Sequence, residues 1–348
     1  MAIELSNLTF TNQADIVPAS GVEQILNTGI ANTLAGSDII TGTITGSNRF
    51  GILNFGTINT GAGHDIITGI CDENTIIPGA GILNERGTIN TDGGNDIIIG
   101  IGQAGDGILI LLGAINTGDG NDTITGTAID SGINVNTQSI LDTGNGSDTI
   151  TGTGGYGIQN YFIINTGNGN DKITGNGTLP NGYGILNVGT MDTGAGNIDT
   201  GDGNDEITGT NANGWGIYNS NSTIDTGDGN DTITGTGSTG IYNNDIIKTG
   251  NGKDSIIADG GFNGTGSVFL GNGKDYLKGF GGGIFNGGNG QDTLELTPGS
   301  YTIGRFGTTV NLINGSTIME TSEFEQLIAG GTTYDFTSLT VGQIIIVS

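Results

Sequence analysis

A single cysteine, Cys71, stands among 348 residues, so no internal disulfide staples this chain. One histidine, His64, leaves no nitrogen-rich cluster of the kind zinc or copper prefers. Bases are scarce as well: 8 Lys and Arg face 35 Asp and Glu, and the formal charge of −27 repels nucleic acid and anionic membrane surfaces alike. No stretch approaches the roughly 18 apolar residues of a spanning helix, so no membrane insertion is expected. The opening MAIELSNLTFTNQADIVPAS has neither a basic n-region nor an apolar h-region, which argues against a cleaved N-terminal signal. Only 4 prolines accompany 71 glycines, and those glycines recur at fixed offsets from Asp, a pattern that fits neither collagen nor disorder.

What the chain has instead is repetition. INTGDGNDTITGT, at 115–127, returns in close variants, and aligning the turns on their Asp gives successive gaps of 27, 31, 26, 26, 23, 34, 26, 23, 21 and 17 residues. The 34-residue gap contains a seven-residue duplication in MDTGAGNIDTGDGND, where the turn at Thr193 to Asn197 reaches Ile198 in place of Asp. Each full unit carries three short apolar pieces: Gly-Ile-x-Asn (GILN, GIQN, GIYN), a pre-turn INT or IDT, and a post-turn xITG. Isoleucine alternates with small polar residues, the period of strands with one buried face.

Three strands per unit of about 26 residues predict an all-β fold, a parallel β-solenoid of about ten coils, each coil too small to stand alone and stabilised by stacking on its neighbours. The expected organisation is an N-terminal cap over 1–28, the solenoid over 29–296 and a β-rich C-terminal cap over 297–348. In GIANTLAGSD (29–38) and GIFNGGNGQD (283–292) the GIxN strand is read as running straight into the acidic turn, as tapering end rungs. One helical turn is expected at Glu323 to Leu327.

The turn itself, Thr-Gly-x-Gly-Asn-Asp, is the candidate site. Its paired glycines let carbonyl oxygens converge while the closing Asp supplies a carboxylate on the same side. Hard oxygen donors without nitrogen or sulfur suit Ca²⁺. The carboxylates are Asp38, Asp65, Asp96, Asp122, Asp148, Asp171, Asp205, Asp231, Asp254, Asp275 and Asp292. The paired glycines are Gly61 and Gly63, Gly118 and Gly120, Gly144 and Gly146, Gly167 and Gly169, Gly201 and Gly203, Gly227 and Gly229, Gly250 and Gly252, Gly271 and Gly273, and Gly288 and Gly290. Two carboxylates stacked about 5 Å apart repel by roughly 0.8 kcal/mol in water and a few kcal/mol at an effective dielectric of 20, so a file of them calls for cations between. Leu34-Ala35 before Asp38 and Asp92-Gly93 before Asp96 depart from the pattern, and weaker sites are expected there.

These turns resemble the RTX (hemolysin-type) calcium-binding repeat, G-G-x-G-x-D-x-U-x. GGNGQDTLE (287–295) matches it in full, and the other turns replace the first Gly by Thr, or once by Leu270. The resemblance covers some 260 residues. It implies that each Ca²⁺ sits between two successive turns and takes a carboxylate and backbone carbonyls from both. RTX β-rolls repeat the nonapeptide consecutively, whereas this chain has one acidic turn per coil. That implies a single file of about ten ions along one edge of a wider, three-sided solenoid. The resemblance also implies export by a type I system that reads an uncleaved C-terminal signal.

The function expected on these grounds is a secreted, Ca²⁺-dependent structural protein of the cell surface or extracellular matrix, folding on Ca²⁺ and able to form a homo-oligomer or filament. The alternative is an adhesin or carbohydrate-binding module with a surface polysaccharide as partner, for which Trp215, Tyr218 and Tyr242 are the aromatic candidates. Ice binding ranks lower, because Lys172, Glu206, Tyr276 and Lys278 interrupt the threonine pairs that flank the buried position of the post-turn strand, such as Thr123/Thr125 and Thr149/Thr151. A polysaccharide-active enzyme also ranks lower. The eight bases are scattered, and no unit breaks pattern to assemble a catalytic constellation, so no enzyme activity is expected.

Overall fold

A computed structural model describes residues 2–18, 23–44, 49–72, 79–189 and 196–348. A full unit lays down three strands, and each pairs in parallel with its equivalent one coil away; the coil of Ser267–Phe269 and Tyr276–Lys278 has no GIxN strand. In one central coil the three are Ala114–Asn116 before the turn, Thr123–Ala128 after it, and Ser131–Val135 at the GIxN position. They pair with Ile140–Asp142, Thr149–Gly154 and Tyr156–Asn160 of the next. Post-turn and GIxN strands form a 23-stranded sheet, and the pre-turn strands, joined by cap strands, form one of 15. The fold is the all-β parallel solenoid.

The core is one branched side chain per strand. Ile115, Ile124 and Ile133 are each 0% exposed, and each stacks on its register partners in the coils above and below. Burial of each such side chain is worth about 1.5–3 kcal/mol, and in-register parallel stacking lets β-branched side chains fill the narrow interior without voids. Beyond Ile124 the chain turns back so tightly that the post-turn and GIxN strands touch at their glycines. A Cβ on Gly126 would lie 2.0 Å from the Gly132 carbonyl oxygen. This close approach explains the glycine in both motifs.

The Asn closing each GIxN strand points inward. Asn27, Asn54 and Asn84 hand Nδ2–H···Oδ1 bonds along the axis at 2.7–2.8 Å, as do Asn160, Asn187, Asn219 and Asn243 at 2.8–2.9 Å. Ile110 and Val135 occupy this file for two coils. There the Ser139 hydroxyl donates to the Ile110 carbonyl oxygen, 3.0 Å.

Both ends differ from the expected taper. Ile30–Asn32 pairs with Thr57–Asn59, and Gly283–Asn286 with Ser267–Phe269, so GIAN and GIFN lie in the pre-turn file. The GIxN position of the first coil is filled by Gln24–Asn27, and a partial coil stacks beneath, Ala2–Glu4 on Gln24–Asn27 and Ile16–Val17 on the post-turn strand Ile39–Ile44. At the other end Thr317–Ser322 and Gln326–Ala329 continue the pre-turn and post-turn files before the chain closes in antiparallel strands. The helical turn expected at Glu323 to Leu327 is therefore absent, because the open ladder of Thr293–Glu295 draws that segment into a strand. A short 3-10 turn forms instead at Phe336–Ser338, capped by Asp335, whose carboxylate accepts the Thr337 N–H. The duplicated turn at Thr193 lies outside the described residues.

Ile124→Ala is expected to cost about 2–5 kcal/mol, as for other core truncations to Ala. Outward Thr125→Ala should stay within about 0.5 kcal/mol, while Gly126→Ala forces two backbones apart and should fall with the core variant. Urea midpoints at fixed Ca²⁺ measure all three.

Candidate metal-binding file

All eleven aspartates predicted from the turns come together in one file along one edge. The paired glycines of the turns take positive φ, as at Gly118 (95°) and Gly120 (152°), with Gly273 the exception. Leu34 (78°) and Asp92 (61°) follow the same path at the first glycine's position, so the two irregular turns keep the backbone course of the others at the strain a side chain incurs there. A Cβ on Gly120 would come 1.5 Å from the Gly94 carbonyl oxygen. Carbonyl oxygens of one coil thus project into the space beside the glycines of the next.

The closing Asp residues are 0–2% exposed. One carboxylate oxygen of each has a defined task. The Asp122 N–H donates to Asp148 Oδ1 at 2.8 Å, the Asp148 N–H to Asp171 Oδ1 at 2.8 Å, and the relation recurs from Asp15→Asp38 to Asp275→Asp292 at 2.7–2.9 Å. At the cap Glu325 Oε2 accepts from the Asp292 N–H, 2.7 Å, in the role an Asp plays elsewhere. Sequence reasoning missed Glu325, since no glycine turn precedes it. The second oxygen, Oδ2, is buried without a hydrogen-bond partner in all eleven aspartates.

From Ser37 to Asn230 the residue before the Asp reaches the opposite way, a row that ends at Lys253. Asn121 Oδ1 accepts the Ser147 N–H (2.7 Å), Ser147 Oγ accepts the Asn170 N–H (3.2 Å), and Asn170 Oδ1 accepts the Asn204 N–H (2.7 Å). His64 serves in this row: its Nδ1 accepts the Asn95 N–H at 2.7 Å, which requires the proton on Nε2. Successive turns from Asp38 to Asp254 are therefore clamped in both directions.

Electrostatically the file is under-compensated. Desolvation raises the carboxyls of Asp65, Asp122 and Asp254 above the usual range, those of Asp96, Asp148, Asp205 and Asp292 to about 6, and those of Asp171, Asp231 and Asp275 to about 7. The hydroxyl of a Thr that opens the turn, foremost at Asp65, Asp96 and Asp122, and the hydrogen bond from the preceding N–H oppose this only in part. The ion pairs among the described residues, Arg86–Glu85, Lys172–Glu206 and Lys248–Asp225, are on the surface and touch none of the file. No three His, Cys, Asp or Glu side chains converge among the described residues, so a cation held here would draw its remaining ligands from backbone carbonyls.

Two surface features complete the picture. Tyr218 and Tyr242 lie face to face (4.3 Å, 3°), and Tyr156, Tyr183 and Trp215 stack in sequence at 5.8 and 5.2 Å. The ring faces point along the axis at each other, which leaves mainly edges for any outside partner. On the post-turn strands the file of Lys172, Glu206 and Tyr276 is indeed broken. The next two outward files, from Thr41/Thr43 through Thr125/Thr127 and Thr151/Thr153 to Thr234/Thr236, hold only Thr, Ile and Asn176. Pairing the two flanks of the buried Ile hid this charge-free pair of files; the Thr-Gly-Thr triplet was its signal.

No family model matches this chain, and no curated protein matches it. Among solved structures, one similar chain is a hyperactive, Ca²⁺-dependent, β-helical antifreeze protein from an Antarctic bacterium, 17% identical over 82% of this chain and 78% of that one, with a TM-score of 0.40. So distant a likeness carries no functional inference, and the solenoid stands on its own strand registers.

Carboxyls raised by burial give a stability term that is fully present below their unfolded pKa and lost as pH rises through the folded value. Chelator-treated protein should therefore be more stable at pH 5 than at pH 8, with most of the change between about 4 and 7. The gain in Tm on adding Ca²⁺ should run the other way, large at pH 8 and small at pH 5. Thermal melts at several pH values with and without chelator check both slopes.

Proposed function

We propose that this chain is a Ca²⁺-binding structural rod that works outside the cell, completed by ions lying between its acidic turns. The observation that carries the reading is the repeated Asp Oδ2, buried and without a partner in every turn, beside carbonyl-lined space that a Cβ would fill. Leaving so many buried carboxylates uncompensated is costly, whereas a hard divalent cation offsets both their desolvation and their mutual repulsion. The turn Asp residues and neighbouring backbone carbonyls would hold the ions, and what the ions supply is charge and cross-linking between coils. About ten would bring the chain close to neutral. The RTX-like turns support secretion, because low internal and high external Ca²⁺ would delay folding until export.

Far-UV circular dichroism of chelator-stripped protein titrated with Ca²⁺, with Mg²⁺ as control, tests this. Cooperative gain of β-signal with Ca²⁺ alone is expected. Asp231→Asn should lower the Ca²⁺-induced gain in Tm while leaving the stripped protein as stable or more so at pH 8, since a neutral amide replaces a buried anion. A stripped protein that is fully folded and indifferent to Ca²⁺ overturns the reading.

A second reading, that the rod also binds ice, is favoured by the paired files from Thr41/Thr43 to Thr234/Thr236. They form an uncharged strip on a chain of charge −27, with hydroxyls and methyls at the regular spacing of a parallel ladder. Growth of ice crystals in Ca²⁺-loaded protein should show faceting that Thr151→Lys diminishes. Unshaped crystals remove this reading and leave the rod.

A further inference from the structure

Three lysines stand directly opposite an acidic residue on a neighbouring coil. Lys172 is the register partner of Glu206, Lys248 of Asp225, and Lys278 of Glu295. The first two close into ion pairs, Lys172 Nζ lying 2.7 Å from both Glu206 carboxylate oxygens. The third does not. Glu295 Oε2 instead accepts a hydrogen bond from the Tyr276 hydroxyl at 2.7 Å, and no ion pair among the described residues includes Lys278.

The open pair coincides with a cavity. Where the outward face of the post-turn strands runs under the C-terminal cap, a hollow of about 550 Å³ is lined by Asp259, Lys278, Phe280, Glu295 and Leu296 and overhung by the Gly330–Gly331 turn. That volume lies within the range of small-molecule sites. Asp259 continues the outward alternation two residues beyond Ile257, whose register partner is Lys278, so two carboxylates and an ammonium share one wall. Phe280 packs edge-on against Tyr301 at 4.8 Å, which holds it in the apolar part of the lining.

We propose that this cavity is a saccharide-binding site, in which Glu295, Lys278 and Asp259 hydrogen-bond the hydroxyls of a neutral sugar ring and the half-buried Phe280 meets its C–H face. Anionic ligands are disfavoured by the Asp259 and Glu295 carboxylates in the wall, and Lys278 inside the lining works against a simple cation. A neutral ring with hydroxyls at its edge and an apolar face uses both halves of the wall. Its hydroxyls also satisfy the charged groups that the protein leaves apart, the kind of preplaced polar set that gives such pockets their specificity. This site is independent of the acidic-turn file and survives whether or not that file binds Ca²⁺.

The test is ligand-observed NMR and calorimetry on the full chain in Ca²⁺-containing buffer, with glucose, galactose, N-acetylglucosamine, cellobiose and maltose as probes, and spermine and glycine as charged and zwitterionic controls. At least one neutral sugar is expected to bind. Lys278→Met and Glu295→Gln should each weaken that binding tenfold or more with circular dichroism unchanged, while Lys172→Met, at the closed pair, should leave it intact. Should either cavity variant lose its fold, Asp259→Asn on the exposed rim provides the same comparison. Absence of binding by every sugar, tighter binding of spermine or glycine, or sugar binding indifferent to Lys278→Met overturns the proposal.

Discussion

A buried carboxylate with one oxygen bonded and the other bare, repeated once per coil, is the constraint around which the rest of this molecule is arranged. The bonded oxygen sets spacing: it reaches only the N–H of the Asp one coil earlier, and so fixes the rise between turns at the rise of a parallel ladder. Unit lengths range from 17 to 34 residues, yet the Asp-to-Asp bond stays at 2.7–2.9 Å from Asp38 to Asp292. Among the described residues, length variation is absorbed by omitted strands and connections, while the turn that carries the Asp keeps its form. The bare oxygen sets chemistry, since burial drives the carboxyls toward neutrality unless a cation arrives.

The two clamps give the rod a direction. Asp side chains reach toward the N-terminus and the Asn, Ser or His before them toward the C-terminus, so the gaps from Asp38 to Asp254 are closed from both sides, while the last two, where Lys253 and Lys274 precede the Asp, are closed by the Asp alone. The ends must then be made differently. At the first turn the N–H that donates to Asp38 belongs to Asp15, whose own carboxylate is turned back to accept the Thr11 N–H. At the last, the donor Asp292 N–H meets Glu325 of the cap. Each cap completes the hydrogen bonding of a turn it does not itself repeat, as a linear stack of coils requires.

Most of the fold was legible because stacking turns sequence period directly into spatial register. Asp122 and Asp148 repeat with the period of the coils, and so they neighbour one another. What the sequence concealed falls into two kinds. Direction of bonding was hidden: nothing in GNGND states which oxygen of Asp171 is used, nor that Asn170 points the other way. File membership at the ends was hidden too, because GIFN carries the GIxN letters but takes the pre-turn position that its neighbours Ser267–Phe269 leave open. The inward Asn ladder was visible as the fourth letter of GIxN, which only Ile110 and Val135 break among the paired GIxN strands of the central coils, yet its partners lie a full coil away.

Where the outer surface carries charge follows from the same economy. The interior edge is already strongly anionic, so each base on the post-turn and pre-turn strands is placed where it meets an acid one coil away. Lys172 and Lys248 each close such a pair. An exposed pair of this kind is worth little in stability, so leaving Lys278 open sacrifices almost nothing in folding while creating a polar wall beneath the cap. A rod whose stability resides in its turns is free to use its faces, and the faces of this one differ along its length: uncharged threonine in the N-terminal and central coils, aromatic stacks from Tyr156 to Tyr242, and an unpaired charged hollow at the cap.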